Sequence, residues 1–162
     1  MFVNLTTDEN GNRVKTYSDK VGRQILKEVE ADGTNWLKTY SIYDDMGRLA
    51  FTLSPEGTKA GVFSPTQAFL NQWAFQYKYD NLNRLVEYKA PAEGWKYTIY
   101  DVLNRPVMTQ NPDQRTRSEW SFVKYDIYGR PVVTGFKVIA SSTRTSVQTS
   151  VRCRYWRIFT GS

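Results

Sequence analysis

Tyr79-Asp80-Asn81-Leu82-Asn83-Arg84-Leu85 is the stretch on which the fold turns, because the chain repeats it. Working outward, the pattern stands again as Tyr43-Asp44-Asp45-Met46-Gly47-Arg48-Leu49, as Tyr100-Asp101-Val102-Leu103-Asn104-Arg105-Pro106 and as Tyr125-Asp126-Ile127-Tyr128-Gly129-Arg130-Pro131. A degenerate copy, Tyr17-Ser18-Asp19-Lys20-Val21-Gly22-Arg23, comes first, and the tyrosines fall 26, 36, 21 and 25 residues apart. Self-similarity at such a period marks a repeat architecture, in which each unit buries its apolar face against its neighbours.

The motif is a turn. Asp suits the first position of a type I turn, where its side chain accepts from the backbone two residues on. Three residues later each copy has Gly or Asn, the types that tolerate the left-handed conformation, once the first is aligned on Gly22. A type I turn followed by a left-handed residue closes a common bulged hairpin. Tyr then ends one strand and Arg opens the next.

The flanks alternate as half-buried strands do. Trp73-Ala74-Phe75-Gln76-Tyr77-Lys78-Tyr79 has period two, as do Trp95, Tyr97 and Ile99 against Lys96 and Thr98, and Leu49, Phe51 and Leu53 against Ala50 and Thr52. Pro106 and Pro131 stand at strand starts, where proline costs no ladder bond. Turn clusters at Glu9-Asn10-Gly11, Ala31-Asp32-Gly33, Ala92-Glu93-Gly94 and Asn111-Pro112-Asp113 close the units on the other side. Ser64-Pro65-Thr66-Gln67 reads as N-cap, N1 proline and capping-box Gln, so one short helix is expected near 65–72 and no other. The fold class is all-β: tandem antiparallel hairpins in a curved, spiralling sheet over 1–136, followed by a basic tail over 137–162 with no further repeat.

Composition agrees. The chain has 162 residues, 40% hydrophobic and 15% aromatic, and aromatics pack well on pleated surfaces. Of 22 basic residues five lie in 137–162, which has no acid; 17 basic against 16 acidic leaves the body at a net of +1. Met1–Asn10 has neither the basic region nor the apolar run of a signal peptide, and no stretch is apolar enough to span a membrane.

The Tyr-Asp-x-x-Gly-Arg-Leu unit resembles the YD repeat of RHS proteins, and of the related insecticidal toxin-complex components and teneurins, over about residues 13 to 136. Trp36-Leu37-Lys38-Thr39-Tyr40 and Phe69-Leu70-Asn71-Gln72-Trp73 look like RHS-like proteins of Bacteroidetes in particular. The resemblance implies long hairpins wound side by side, a shell that encloses a C-terminal toxin or a surface stalk, and repeats that do no chemistry. This chain is too short to close a shell and lacks the motif that ends the repeat region, so a fragment of a larger secreted or surface protein is expected. The partners implied are the remainder of that protein and its toxin cargo.

Chemistry has few candidates. The absence of histidine excludes His-based acid–base pairs and metal sites, and Cys153 alone makes neither a disulfide nor a thiolate cluster. There is no phosphate loop, and Asp44 and Asp45 have a sufficient turn explanation. No enzyme, metal or cofactor is therefore expected. Trp36, Trp73, Trp95 and Trp120 either pack one face of the sheet or form an aromatic ladder for cell-surface glycans, the alternative function. The arginines after each tip either pair with the Asp of a neighbouring turn, stack on a Tyr, or form a basic stripe. The tail's Arg152-Cys153-Arg154-Tyr155-Trp156-Arg157 interleaves basic and aromatic residues, a minimal recipe for nucleic-acid or anionic-surface contact, although an exposed, poorly ordered terminus is the simpler expectation.

Overall fold

The structure, a computed structural model, describes residues 1–59, 66–140 and 143–154, and the side chains of these up to Val151. Eleven strands follow one another: β1 (Phe2–Thr7), β2 (Arg13–Ser18), β3 (Gln24–Asp32), β4 (Asn35–Tyr43), β5 (Leu49–Leu53), β6 (Ala74–Tyr79), β7 (Leu85–Lys89), β8 (Lys96–Tyr100), β9 (Pro106–Gln110), β10 (Glu119–Tyr125) and β11 (Pro131–Val138). They form one open antiparallel sheet whose spatial order is the sequence order. The all-β class is thus as the sequence implies, since hairpin after hairpin leaves each strand beside its chain neighbours.

Among the described residues four short helices accompany it: α1 (Pro55–Lys59), α2 (Gln67–Trp73) and α3 (Pro112–Thr116) between strands, and α4 (Arg144–Arg154) after the last. The expectation of a single helix near 65–72 is met by α2 and exceeded by the other three. Thr66 is the N-cap of α2, accepting from the Phe69 amide at 3.3 Å; Ser64 and Pro65 lie outside the described residues. Trp73 ends that helix instead of opening the strand. Asn111-Pro112-Asp113 is no simple turn: Asn111 and Gln114 form a capping box, at 2.8 and 2.9 Å, with Pro112 at the start of α3. Both features are what such a sequence favours.

The chain divides into two compact units, Met1–Tyr77 with Lys89–Glu93, and Lys78–Tyr88 with Gly94 onward. In the first, Leu53 and Ala74 are buried. A Cβ on Gly57 would come within 2.7 Å of Leu53 and 2.8 Å of Trp73, so glycine lets α1 sit there. In the second, Ile99, Val107, Met108 and Trp120 form a core that α4 covers with Val147 and Val151. Gln148 of α4 accepts from the Tyr100 amide at 3.2 Å and donates to its carbonyl at 2.8 Å. Arg144 pairs with Glu87 at 3.1 Å. Contacts are therefore not confined to neighbouring hairpins. Tyr155, Trp156 and Arg157 of the basic-aromatic tail lie outside the described residues, as does the side chain of Cys153.

Candidate functional site

Five turns share one geometry, atom by atom. In each, the Asp amide donates to the Arg carbonyl at 2.8–3.0 Å, and the Gly or Asn amide donates back to the Asp carbonyl. Asp44 shows the side-chain part. Its Oδ1 accepts from the Met46 amide at 3.0 Å and the Arg48 amide at 2.9 Å, while Oδ2 accepts from Arg48 Nε at 2.8 Å. Asp19, Asp80, Asp101 and Asp126 repeat the set with Arg23, Arg84, Arg105 and Arg130. The fourth residue has positive φ in all five: Gly22, Gly47, Asn83, Asn104 and Gly129. Here the left-handed backbone is a requirement of the turn, which is why only Gly and Asn occur.

Each arginine pairs with the Asp of its own turn, four residues back, and toward the next turn Arg84 reaches the Asp101 carbonyl while the charge of Arg105 helps to hold Asp126 low. A guanidinium four residues along a tight turn already faces the carboxylate, so the pair needs no second hairpin. The carboxyls respond: the Arg48 amide and guanidinium hold Asp44 below its ordinary value, and those of Arg130 do the same for Asp126. At Asp80 desolvation opposes the shift, but the bonds from Arg84 outweigh it.

Bound at its edge, the guanidinium offers its flat face to the next turn's tyrosine. Arg23 lies over Tyr43 at 4.9 Å, Arg84 over Tyr100 at 4.9 Å and Arg105 over Tyr125 at 4.7 Å. The hydroxyl of each tyrosine then donates to the residue after that arginine: Tyr43 to Gln24 at 2.9 Å, Tyr100 to Leu85 at 3.0 Å, Tyr125 to Pro106 at 2.9 Å. Arg, Tyr and carbonyl thus make a rung between successive hairpins. Arg84 adds bonds to the Asp101 carbonyl and to Asn104 Oδ1, at 3.3 and 2.9 Å. The stacking half of the expectation for arginine is what the structure shows, and the ring belongs to the following turn.

Tyr17 is not the first rung. The bulge that precedes Tyr43, Tyr100 and Tyr125 falls between Tyr17 and Ser18, so Ser18 occupies the tyrosine position. Side chains alternate along a strand, and Tyr17 accordingly bonds Glu28 at 3.0 Å instead. The turn expected at Glu9-Asn10-Gly11 is there, but its staple escaped the reading: Asp8 accepts from the Asn10 and Asn12 amides at 2.9 Å, and from the Asn12 side chain at 2.8 Å, with Gly11 at positive φ. Its Asp-x-x-Gly spacing was the available signal, with Asn12 in place of arginine.

The four tryptophans do not share one environment. Trp120 has no exposed surface and stacks on Tyr97 at 6.5 Å, which removes it from any ligand surface. Trp36 is half-buried under Lys15 at 4.0 Å, and Trp95 under Lys78 at 4.2 Å; Trp73 is held in α2. A cleft of about 440 Å³ in the second unit, lined by Tyr88, Lys96, Tyr97, Thr98, Thr109 and Gln114 among others, contains no tryptophan. Lys89 is buried, which pulls its ammonium below the ordinary value, and it donates to Asn71 at 2.6 Å. Among the described residues no group of three Cys, Asp or Glu could hold a metal ion, and no helix is long and apolar enough to cross a membrane.

No family model matches the chain, and neither does any curated protein. Solved structures do. The crystal structure of TcdB2-TccC3-TEV matches with a TM-score of 0.61 at 17% identity, over 82% of this chain and 6% of that one. The Photorhabdus luminescens Tc holotoxin pore matches at 0.59 and 17%, over 85% and 6%. TcdB2-TccC3 without its hypervariable C-terminal region matches at 0.60 and 18%, over 82% and 6%. The chain thus spans a small fraction of the length of these relatives, and what it shares with the Tc toxin chains is the fold: a run of antiparallel hairpins in one sheet.

Proposed function

We propose that the chain is a non-enzymatic structural segment of a secreted or surface RHS-type protein, a stretch of β-wall in a shell or stalk that encloses a toxin or makes contact with a target. The observation that carries this reading is the rung. It sets Arg84, Tyr100, Arg105 and Tyr125 to fastening hairpin to hairpin, a structural use of the repeated residues. The likeness in fold to Tc toxin chains supports it. The glycan reading has no comparable support, with Trp120 buried. Sequencing the coding segment on both sides is the test. Further Tyr-Asp-x-x-Gly/Asn-Arg units in the same frame are expected, and a frame holding none would overturn the wall.

A further inference from the structure

A second cluster lies outside the stapled turns, in the first unit. Lys89 is 7% exposed and Gln76 4%. Burial pulls the Lys89 ammonium down and no acid lifts it back. All 16 Asp and Glu side chains of the chain stand among the described residues, and none of them pairs with Lys89. Its partner is instead a neutral amide. Asn71 Oδ1 accepts from Lys89 Nζ at 2.6 Å, from Gln67 Nε2 at 2.9 Å and from Gln76 Nε2 at 3.2 Å. Three donors, one of them cationic, converge on one uncharged oxygen that has two lone pairs. Buried charges are ordinarily paired, and a charged acceptor holds such donors far more strongly than an amide does. Gln67 is exposed, so the cluster reaches solvent through it. Asn71 is anchored by its backbone, whose carbonyl accepts from the Ala92 amide at 2.9 Å, and its side chain can turn away while α2 stays in place.

We propose that Lys89, Gln67 and Gln76 form a binding site for a carboxylate, which the Asn71 side-chain amide occupies as a stand-in. An amide and a carboxylate share their size and planar shape, so the space that Asn71 fills suits a carboxylate and not a tetrahedral oxyanion. On binding, the Asn71 side chain turns out and one oxygen of the ligand takes over its three bonds. No covalent bond changes, and the ammonium gains the counter-charge it lacks. The site uses none of the repeated Tyr, Asp and Arg, so it stands or falls apart from the wall reading.

The test follows the Lys89 side chain by NMR in the intact chain carrying isotope-labelled lysine. Acetate is added at neutral pH, against chloride at constant ionic strength. A saturable shift is expected at roughly 1–10 mM, a range open to a ligand of so few atoms. Asn71→Ala removes the stand-in and should tighten acetate about threefold to tenfold, the contribution of one hydrogen bond. Asn71→Asp supplies the charge from within. It should abolish the response and set the Lys89 signal where saturating acetate sets it in the unaltered chain. Aspartate capped at both ends is the second probe. Saturation by both probes assigns the site to acidic side chains as well as free acids, and saturation by acetate alone assigns it to free acids. The proposal falls if acetate moves Lys89 no more than chloride does, or if phosphate saturates the site as tightly as acetate. It falls too if the Asn71→Asp chain responds like the unaltered one. Should the Asn71→Ala chain not fold, those comparisons still decide.

Discussion

Turns that leave even-numbered strands and turns that leave odd-numbered ones solve the same problem differently. After β2, β4, β6, β8 and β10 the chain reverses through one side-chain-stapled turn, with Asp bound to the Arg four residues on. After the odd strands it reverses through Asp8–Asn12, through Asp32–Asn35, through α1 and α2, through residues 90–95, and through α3. In the first set Tyr43, Tyr100 and Tyr125 also lie against the preceding turn's arginine, so those turns answer two demands at once. The second set only has to return the chain, and many sequences do that.

Acid should separate the carboxylate-stapled turns from α3 most widely; on the odd side Asp8 and Asp32, held low by their bonds from Asn12 and Asn35, loosen with the stapled set. Asp19, Asp44, Asp80 and Asp126 all titrate below their ordinary value in the fold. The native state therefore binds these protons less readily than the unfolded chain, so their contribution is complete above about pH 4 and is lost as pH falls below it. Amide exchange at the stapled turns should rise over that window, while the Gln114 amide, capped by the uncharged Asn111 side chain, keeps its protection. Equal loosening of α3 and of the stapled turns would break the contrast. The next largest effect is Asp101→Ala. That carboxylate is fully buried and accepts from the Leu103 and Arg105 amides and from Arg105 Nε, so its loss should cost about 3 kcal/mol in a urea melt. The same change at Asp126, beside the exposed Arg130, should cost visibly less.

Smaller changes sharpen the comparison. Gly129→Ala meets no atom within 4 Å, but φ is +79°; backbone strain alone should cost about 1–2 kcal/mol. On the odd side Asn111→Ala removes the capping box of α3 and should cost about 1 kcal/mol, read as a thermal shift. If the Asn111 change cost more than the Asp101 change, the stapled turns would not be the principal fasteners.

What was legible in the sequence follows the same division. The stapled turn is local, since every bond spans four residues or fewer, and Tyr-Asp-x-x-Gly/Asn-Arg therefore states its own geometry. The ion pair of each arginine was local too, but a reading that looked only to a neighbouring Asp or a Tyr overlooked how a short loop folds Arg back onto its own Asp. Tyr17 was aligned by letter when strand alternation sets position, so Ser18 was missed. α3 bore the same cap-and-proline signature read before α2 and was passed over as a turn. The placement of α4 was not legible at all. Its Arg144, Val147, Gln148 and Val151 meet Glu87, Ile99 and Tyr100 only once strands about 50 residues earlier have paired. Trp120, likewise, is buried in a core that Tyr97, Ile99 and Met108 supply from other strands.

That helix has a consequence for how the protein is made. During synthesis the strands that carry Ile99, Met108 and Trp120 leave the ribosome before Arg144–Val151, and residues are added at roughly 5–20 per second. For a second or more the nascent sheet must carry its apolar face bare. Chaperone demand, and the yield of folded chain at high expression, should therefore hinge on Val147 and Val151 arriving in time, although neither residue belongs to a repeat.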